Sequence, residues 1–168
     1  ATAQIAFLAK KDLPVNSVDE FLDHARKAAK DGKPLTFASV GPGSFYHLLG
    51  EQMAQTLGAQ MLHVPYKGGA PVFQDLLGGQ VDIFISVYSA PHVEMGKQGK
   101  VKFIAALSPQ RQPLIPHVPT VDEGKALKGF HHSLGTGYYV PSGTPESVVA
   151  TLNKALAVTL GDADVRSA

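Results

Sequence analysis

Apolar residues fall into short unbroken runs that alternate with segments of helical spacing. The runs predict strands at residues 5–8, 35–38, 61–64, 81–85, 101–107 and 137–140. The segments between and after them predict helices at residues 17–30, 44–57, 71–77, 92–97, 120–123 and 144–160. This alternation predicts an α/β fold, with a mostly parallel sheet flanked by helices.

Local signals refine two of these helices. Ser17 and Glu20 have the spacing of a capping box, in which a serine hydroxyl and a glutamate carboxylate bond the free N–H groups where a helix begins. In the helix at 44–57, helical spacing places four residues on the side that faces the core: Leu48, Leu49, Met53 and Leu57.

Composition narrows the function classes. The chain has 168 residues, of which 44% are hydrophobic, and its net charge is +1, so it has the core of a globular domain and no charge excess that would favour nucleic acid. It has no cysteine, which excludes disulfides, thiolate catalysis and cysteine-based zinc sites. The seven histidines lack metal-ligand spacing, so neither a metal nor a cofactor is expected.

The most informative segment is residues 39–48, where a strand passes through a glycine-rich turn into a helix. Gly41 and Gly43 form the turn, and Ser44 begins the helix. A helix N-terminus presents unpaired N–H groups and the positive end of the helix dipole, so it attracts an anion. With Ser39 and His47 beside it, the turn predicts a site for a small carboxylate; in the alternative interpretation the glycines only make a tight turn and Ser44 only caps the helix.

Two further residues follow predicted strands, at the edge where α/β proteins bind ligands. Lys67 would add positive charge, and Ser86 would add a hydroxyl. Ser44 and His47 also allow a different function, a small hydrolase with serine as nucleophile and histidine as base. The chain lacks the Gly-x-Ser-x-Gly elbow, and both residues come from one element, which disfavours this alternative.

Five segments of the sequence resemble one family in order along nearly the whole chain. They include the string His-Val-Pro-Tyr-Lys-Gly, and they cover residues 39–48, 63–71, 75–82, 116–124 and 140–145. The family is the Bug family, the periplasmic solute-binding proteins of tripartite tricarboxylate transporters. The resemblance implies one lobe of a two-lobed clamshell, similar to type II periplasmic binding proteins, which captures a small carboxylate for membrane permease subunits without chemical conversion.

The resemblance also implies a domain plan. Residues 1–10 would be a crossover strand, residues 11–135 the second, ligand-binding lobe, and residues 136–168 a crossover strand and helix returning to a first lobe that this chain lacks. Ser86 stands where the family often has Asp, which makes an amino-acid ligand less favoured. A third interpretation is an interaction module, because an isolated lobe would expose apolar surface and associate with itself.

Overall fold

The computed structural model describes residues 2–167, and its first strand, β1 (Thr2–Lys10), lies inside the sheet. It pairs antiparallel with β4 (Ile83–Val87), β5 (Val101–Ala106) and β6 (Ser133–Gly135). Alternate β1 side chains enter two different cores, one on each face of the sheet. This double burial explains why the segment is apolar without interruption.

The remaining strands are β2 (Thr36–Ser39) and β3 (Leu62–Pro65), and the order across the sheet is β3-β2-β4-β1-β5, with β6 on β1. β2 runs parallel to both β3 and β4. The predicted α/β class is therefore confirmed. The sheet is mixed, because β1 runs against all its neighbours, a direction that an apolar run does not reveal.

Helices cover both faces of the sheet. α1 (Val18–Lys30) and α2 (Phe45–Leu57) pack on one face, whose core contains Phe7, Phe21 and Met53. α3 (Gly69–Leu77) and α4 (Ala90–Lys97) pack on the other face, whose core contains Phe84 and Leu76. β2 and β4 contribute side chains to both cores. Each face of the sheet packs against its own pair of helices.

The ends of the first two helices follow the predicted signals, with one difference inside α2. The Ser17 hydroxyl accepts from the Glu20 amide at the start of α1, and Gly58 ends α2 in the left-handed conformation at φ 57°. The expectation that Leu48 faces the core is wrong: it is 60% exposed. The buried stripe of α2 is Leu49, Met53 and Leu57, and Leu48 lies outside it.

Asp82, in the loop before β4, ties together the ends of three strands opposite the candidate site. One carboxylate oxygen accepts from the Thr36 amide at 2.7 Å and its hydroxyl at 2.8 Å, and the other lies 2.6 Å from the Lys10 ammonium. Burial alone would raise the pKa of Asp82, but the bonds from Lys10 and Thr36 lower it overall.

The compact unit of the sheet ends at Gly135, and a second unit begins at Thr136. The strand predicted at 137–140 is wrong: the pairing with β1 ends at Gly135, and Tyr138 and Tyr139 are 76% and 94% exposed. The second unit contains α5 (Glu146–Gly161), which has no buried residue, and α6 (Ala163–Ser167). No helix among residues 2–167 has the length and apolar content needed to cross a bilayer.

Candidate functional site

Three helices begin at one edge of the sheet. β2, β3 and β4 are parallel and end at Ser39, Pro65 and Val87, and each leads through a short loop into α2, α3 or α4. The first-turn N–H groups of a helix have no acceptor within the helix, so this edge collects unpaired donors and positive dipole ends. A site for an anion is therefore expected here.

The turn before α2 uses most of its own donors. The Gly41 amide donates to the Ser39 hydroxyl at 3.1 Å, and the Gly43 amide donates to Nδ1 of His47 at 3.0 Å. The Ser44 amide donates to the Gly41 carbonyl at 3.2 Å, and the His47 amide donates to the Ser44 hydroxyl at 3.3 Å. Four amides of the predicted anion seat are thus already bonded within the protein.

Two donors of this turn remain open. The amides of Phe45 and Tyr46, at the first two positions of α2, have no acceptor among residues 2–167. Both residues are half-buried. The anion-binding capacity of the turn therefore lies in the helix itself, one step beyond the glycines.

His63 holds the turn from the neighbouring strand. Its Nε2 lies 2.7 Å from the Ser39 hydroxyl, which also lies 3.1 Å from the Gly41 carbonyl oxygen. The His63 ring stacks on His47 at 3.9 Å between centroids and on Phe37 at 5.0 Å. Burial, and then the neighbouring His47, lower the pKa of His63. Through its hydrogen bond to Ser39 and its ring stack on His47, His63 joins these two residues into one network of internal contacts.

A pocket of about 440 Å³ opens on the other face of the sheet, between α2, α3 and α4. Its apolar wall consists of Val40, Phe73, Phe84, Val87 and Met95. The other lining residues are Tyr46, Gly69, Ala70, Ser86 and His92. Of the seven predicted site residues, Ser86 is the one that lines this pocket.

Ser86 is the most informative polar group of the pocket. The residue is only 3% exposed, and its hydroxyl has no hydrogen-bond partner among residues 2–167. Every fully buried side-chain nitrogen or oxygen of the described residues is paired, so the Ser86 hydroxyl oxygen reaches the open space of the pocket. A pocket-lining hydroxyl that is accessible and unpaired can bond a ligand or water.

Backbone donors lie beside this hydroxyl. α3 starts at Gly69 after Gly68, whose lack of a side chain leaves the helix without a side-chain cap. The amides of Gly69 and Ala70 have no acceptor among residues 2–167, and both residues line the pocket. The pocket thus combines the start of α3, Tyr46 at the start of α2, and Ser86.

His92 adds a further donor. Its Nδ1 accepts from the Ser89 amide at 3.1 Å, which leaves Nε2 to carry the proton of the neutral ring. The ring stacks on Phe73 at 4.1 Å, and burial lowers the pKa of His92. An uncharged donor therefore stands at the aromatic side of the pocket.

Lys67 does not line the pocket. Its side chain is exposed and has no ion pair or hydrogen bond among residues 2–167. The neighbouring Tyr66 anchors the loop, because its hydroxyl donates to Asp75 at 2.7 Å; burial and Asp75 together raise the pKa of Tyr66 to about 12. Lys67 therefore projects from a fixed loop, near the edge but outside the pocket.

A second pocket, of about 330 Å³, includes Ser108, Gln112 and His131, and these three side chains bond within the protein. The Ser108 hydroxyl and the Gln112 amide both donate to the Gln110 carbonyl, and His131 lies 2.9 Å from Asp122. These polar groups are therefore paired within the protein, whereas the Ser86 hydroxyl is not.

The geometry does not form the serine–histidine pair of the hydrolase alternative. The Ser44 hydroxyl meets the backbone of His47, whose ring accepts from Gly43. The serine that does contact an imidazole is Ser39, with His63, but it is 0% exposed and closed to a substrate. Among residues 2–167 there is also no cluster of three or more side chains suited to a metal ion.

Sequence reasoning missed His63, His92 and the α3 amides. The contact between His63 and Ser39 depends on strand register: Phe37 pairs with His63 and Ser39 with Pro65, so both side chains share a face. The opening of α3 at two adjacent glycines was a signal that could have been read from the sequence. His92 had no such signal.

The sequence matches the family described as "Tripartite tricarboxylate transporter family receptor" over residues 1–167. A relative from Pseudomonas sp. (strain P51), the UPF0065 protein in the tcbD-tcbE intergenic region, is 36% identical over 156 residues, which are 91% of this chain and 46% of the relative.

Two solved structures share the fold. The periplasmic binding protein BugD has 34% identity and a TM-score of 0.87, over 99% of this chain and 54% of BugD. MatC from Rhodopseudomonas palustris, with bound malate, has 32% identity and a TM-score of 0.89, over 99% of this chain and 55% of MatC. The chain thus spans about half the length of these proteins. It belongs to the receptor family of the tripartite tricarboxylate transporters.

Proposed function

We propose that this chain is the ligand-gripping part of a periplasmic solute-binding protein, which captures a small carboxylate and passes it to membrane permease subunits. Membership of the receptor family and the malate bound to MatC support a solute-binding role. In this proposal the protein binds its solute without converting it, and it needs no cofactor.

The observation that carries the proposal is the unpaired hydroxyl of Ser86, which lines one pocket together with the two residues whose open amides begin α3. A carboxylate has several lone pairs and accepts hydrogen bonds from amides and hydroxyls alike. Hydrogen bonds to a charged group contribute about 1.5–3 kcal/mol each. Three such donors would offset much of the cost of removing one carboxylate from water.

The seven residues predicted from the sequence take three roles in this proposal. Ser86 contacts the ligand. The set Ser39, Gly41, Gly43, Ser44 and His47 supports the turn that aims α2 at the pocket, through the bonds already described. Lys67, exposed and unpaired, attracts an anionic solute at long range, an effect that salt would screen.

The experiment compares a carboxylate with its neutral counterpart. Succinate, malate and benzoate, and the corresponding amides, are added to the purified full-length protein, and its thermal unfolding is followed. A ligand at one hundred times its Kd stabilises the folded state by about 2.7 kcal/mol. We expect at least one acid to raise the Tm and its amide to have no effect. Equal effects of acid and amide, or none from any acid, would contradict the proposal.

The permease partnership is tested in cells. Deleting the gene for this protein should abolish uptake of the acid that binds, and restoring the gene should recover it. Uptake that continues unchanged without the protein would contradict delivery to a permease.

A further inference from the structure

The pocket of Ser86 has a chemical character that narrows the ligand further, on the assumption that the proposed carboxylate-binding function is correct. None of its lining residues is Asp, Glu, Lys or Arg. The nearby Asp75 is bonded to the Tyr66 hydroxyl, and Lys67 is exposed outside the pocket. A negatively charged group of the ligand would therefore be bound in this pocket by uncharged hydrogen-bond donors alone.

Besides His92 and Tyr46, three neutral donors belong to residues that line the pocket. They are the Ser86 hydroxyl and the amides of Gly69 and Ala70, where α3 begins. This number suits one carboxylate, which has two oxygens. A second carboxylate in the same pocket would have no cation to pair with, and an unpaired buried charge is strongly unfavourable.

The remaining lining of the pocket is mostly apolar, and its rings pack on one another. Phe73 packs edge-on against Phe84 at 5.6 Å and stacks flat on His92 at 4.1 Å. The His92 ring is itself fixed by the Ser89 amide. Val87 and Met95 complete this wall. A preformed apolar wall binds hydrocarbon without the entropy loss of ordering its own side chains. Each buried methylene strengthens binding about fourfold.

An ammonium group would find no counter-ion here. The lining contains no carboxylate, and its open amides lie at the start of α3, the positive end of that helix dipole. A heavily hydroxylated body would place several hydroxyls against Phe73, Phe84 and Met95, and the single Nε2–H of His92 could pair with only one of them. Both features disfavour amino acids and heavily hydroxylated acids.

We propose that this pocket takes a ligand segment made of a single carboxylate joined to an uncharged hydrocarbon body, either an aliphatic chain or an aromatic ring. The carboxylate meets Ser86 and the start of α3, and the body lies on Phe73 and Phe84. The pocket discriminates against tricarboxylates and α-amino acids.

The test is a calorimetric series on the full-length protein. Propanoate, butanoate, pentanoate and hexanoate give the aliphatic arm, and benzoate and phenylacetate give the aromatic arm; citrate and glutamate are the competitors. We expect affinity to rise about fourfold per methylene. We also expect the best acid of either arm to bind at least about tenfold more tightly than citrate or glutamate.

Variants locate the effect. Phe73→Ala should flatten the chain-length dependence, and Phe73→Leu, which keeps most of the volume and is safer for folding, should preserve the aliphatic arm and weaken the aromatic one. Phe103→Leu is the matched control, a partly buried phenylalanine that does not line this pocket. Equal effects of Phe73→Leu and Phe103→Leu would overturn the proposal.

The outcomes separate this inference from the proposed function. Tighter binding of citrate or glutamate than of every hydrocarbon-bodied acid overturns the inference and leaves carboxylate capture intact. Binding of no carboxylate at all overturns both. A flat response along the aliphatic series, with benzoate and phenylacetate no better than citrate, also overturns the inference.

Discussion

Replacing Ser86 by alanine separates ligand binding from folding. In the unliganded protein the Ser86 hydroxyl makes no hydrogen bond among residues 2–167, so the replacement removes no internal bond. With a carboxylate bound, it removes one hydroxyl-to-anion bond of about 1.5–3 kcal/mol. We expect Kd to rise roughly 10- to 150-fold. The free energy of unfolding should stay constant or rise by up to about 1 kcal/mol.

Ser39→Ala is the matched variant with the opposite expectation. The Ser39 hydroxyl bonds both backbone groups of Gly41 and Nε2 of His63 in a fully buried position. Its removal leaves those groups unpaired, so the free energy of unfolding should fall by about 1–3 kcal/mol. Ser108→Ala, at a buried serine outside the pocket whose hydroxyl donates to the Gln110 carbonyl, controls for the loss of a hydrogen-bonded hydroxyl elsewhere in the protein.

Calorimetric titration with the acid that binds, and urea unfolding without it, measure the two effects. The reasoning fails if Ser86→Ala binds with wild-type affinity. It also fails if Ser39→Ala leaves the free energy of unfolding unchanged and yet abolishes binding, because Ser39 would then be the ligand contact.

Three further predictions concern stability. Gly50→Ala should destabilise the protein by about 1–3 kcal/mol, because a Cβ there would overlap the Phe37 ring; Gly161→Ala, in open space, should be nearly neutral. Asp82→Asn should lower the free energy of unfolding by about 1–3 kcal/mol at pH 7, since a carboxylate bonded to three donors is lost. In His63→Gln, the loss of stability on acidification below pH about 6.5 should be smaller than in the wild type.

The pH effects follow from the direction of each pKa shift. The lowered pKa of His63 means that the unfolded chain takes up a proton first as the pH falls below about 6.5, which favours unfolding. The lowered pKa of Asp82 stabilises the fold above pH about 4, and this stabilisation is lost as the pH falls through the folded value. Urea unfolding from pH 7.5 to 3 checks both. A His63→Gln variant with the wild-type profile between pH 7 and 5 would contradict the first assignment.

Much of the fold was predictable because burial leaves a local mark on the sequence. The apolar run of β4 and the cap at Ser17 each identify their element. The direction of β1 left no mark, since a strand buried on both faces is apolar whichever way it runs. Residues 137–140 were apolar enough to predict a strand, but the pairing with β1 that the structure describes ends at Gly135.

The site was harder to predict, because its chemistry depends on which donors remain unused. The Gly41–Ser44 turn has the residues of a typical anion-binding turn, but its amides donate to Ser39, to His47 and to the Gly41 carbonyl. Such internal pairings depend on distances between atoms that no spacing rule supplies. Ser86 was identified because it follows the apolar run at 81–85; it lies inside β4, near the end of that strand, and it lines the pocket.

The most direct measurement is a crystal structure of the full-length protein with the acid that binds best in the calorimetric series. We expect the ligand carboxylate to lie with an oxygen about 2.7 Å from the Ser86 hydroxyl oxygen. We also expect a carboxylate oxygen about 2.9 Å from the amide nitrogen of Gly69 or Ala70. A carboxylate seated elsewhere, with the Ser86 hydroxyl still unpaired or bonded only to water, would contradict it.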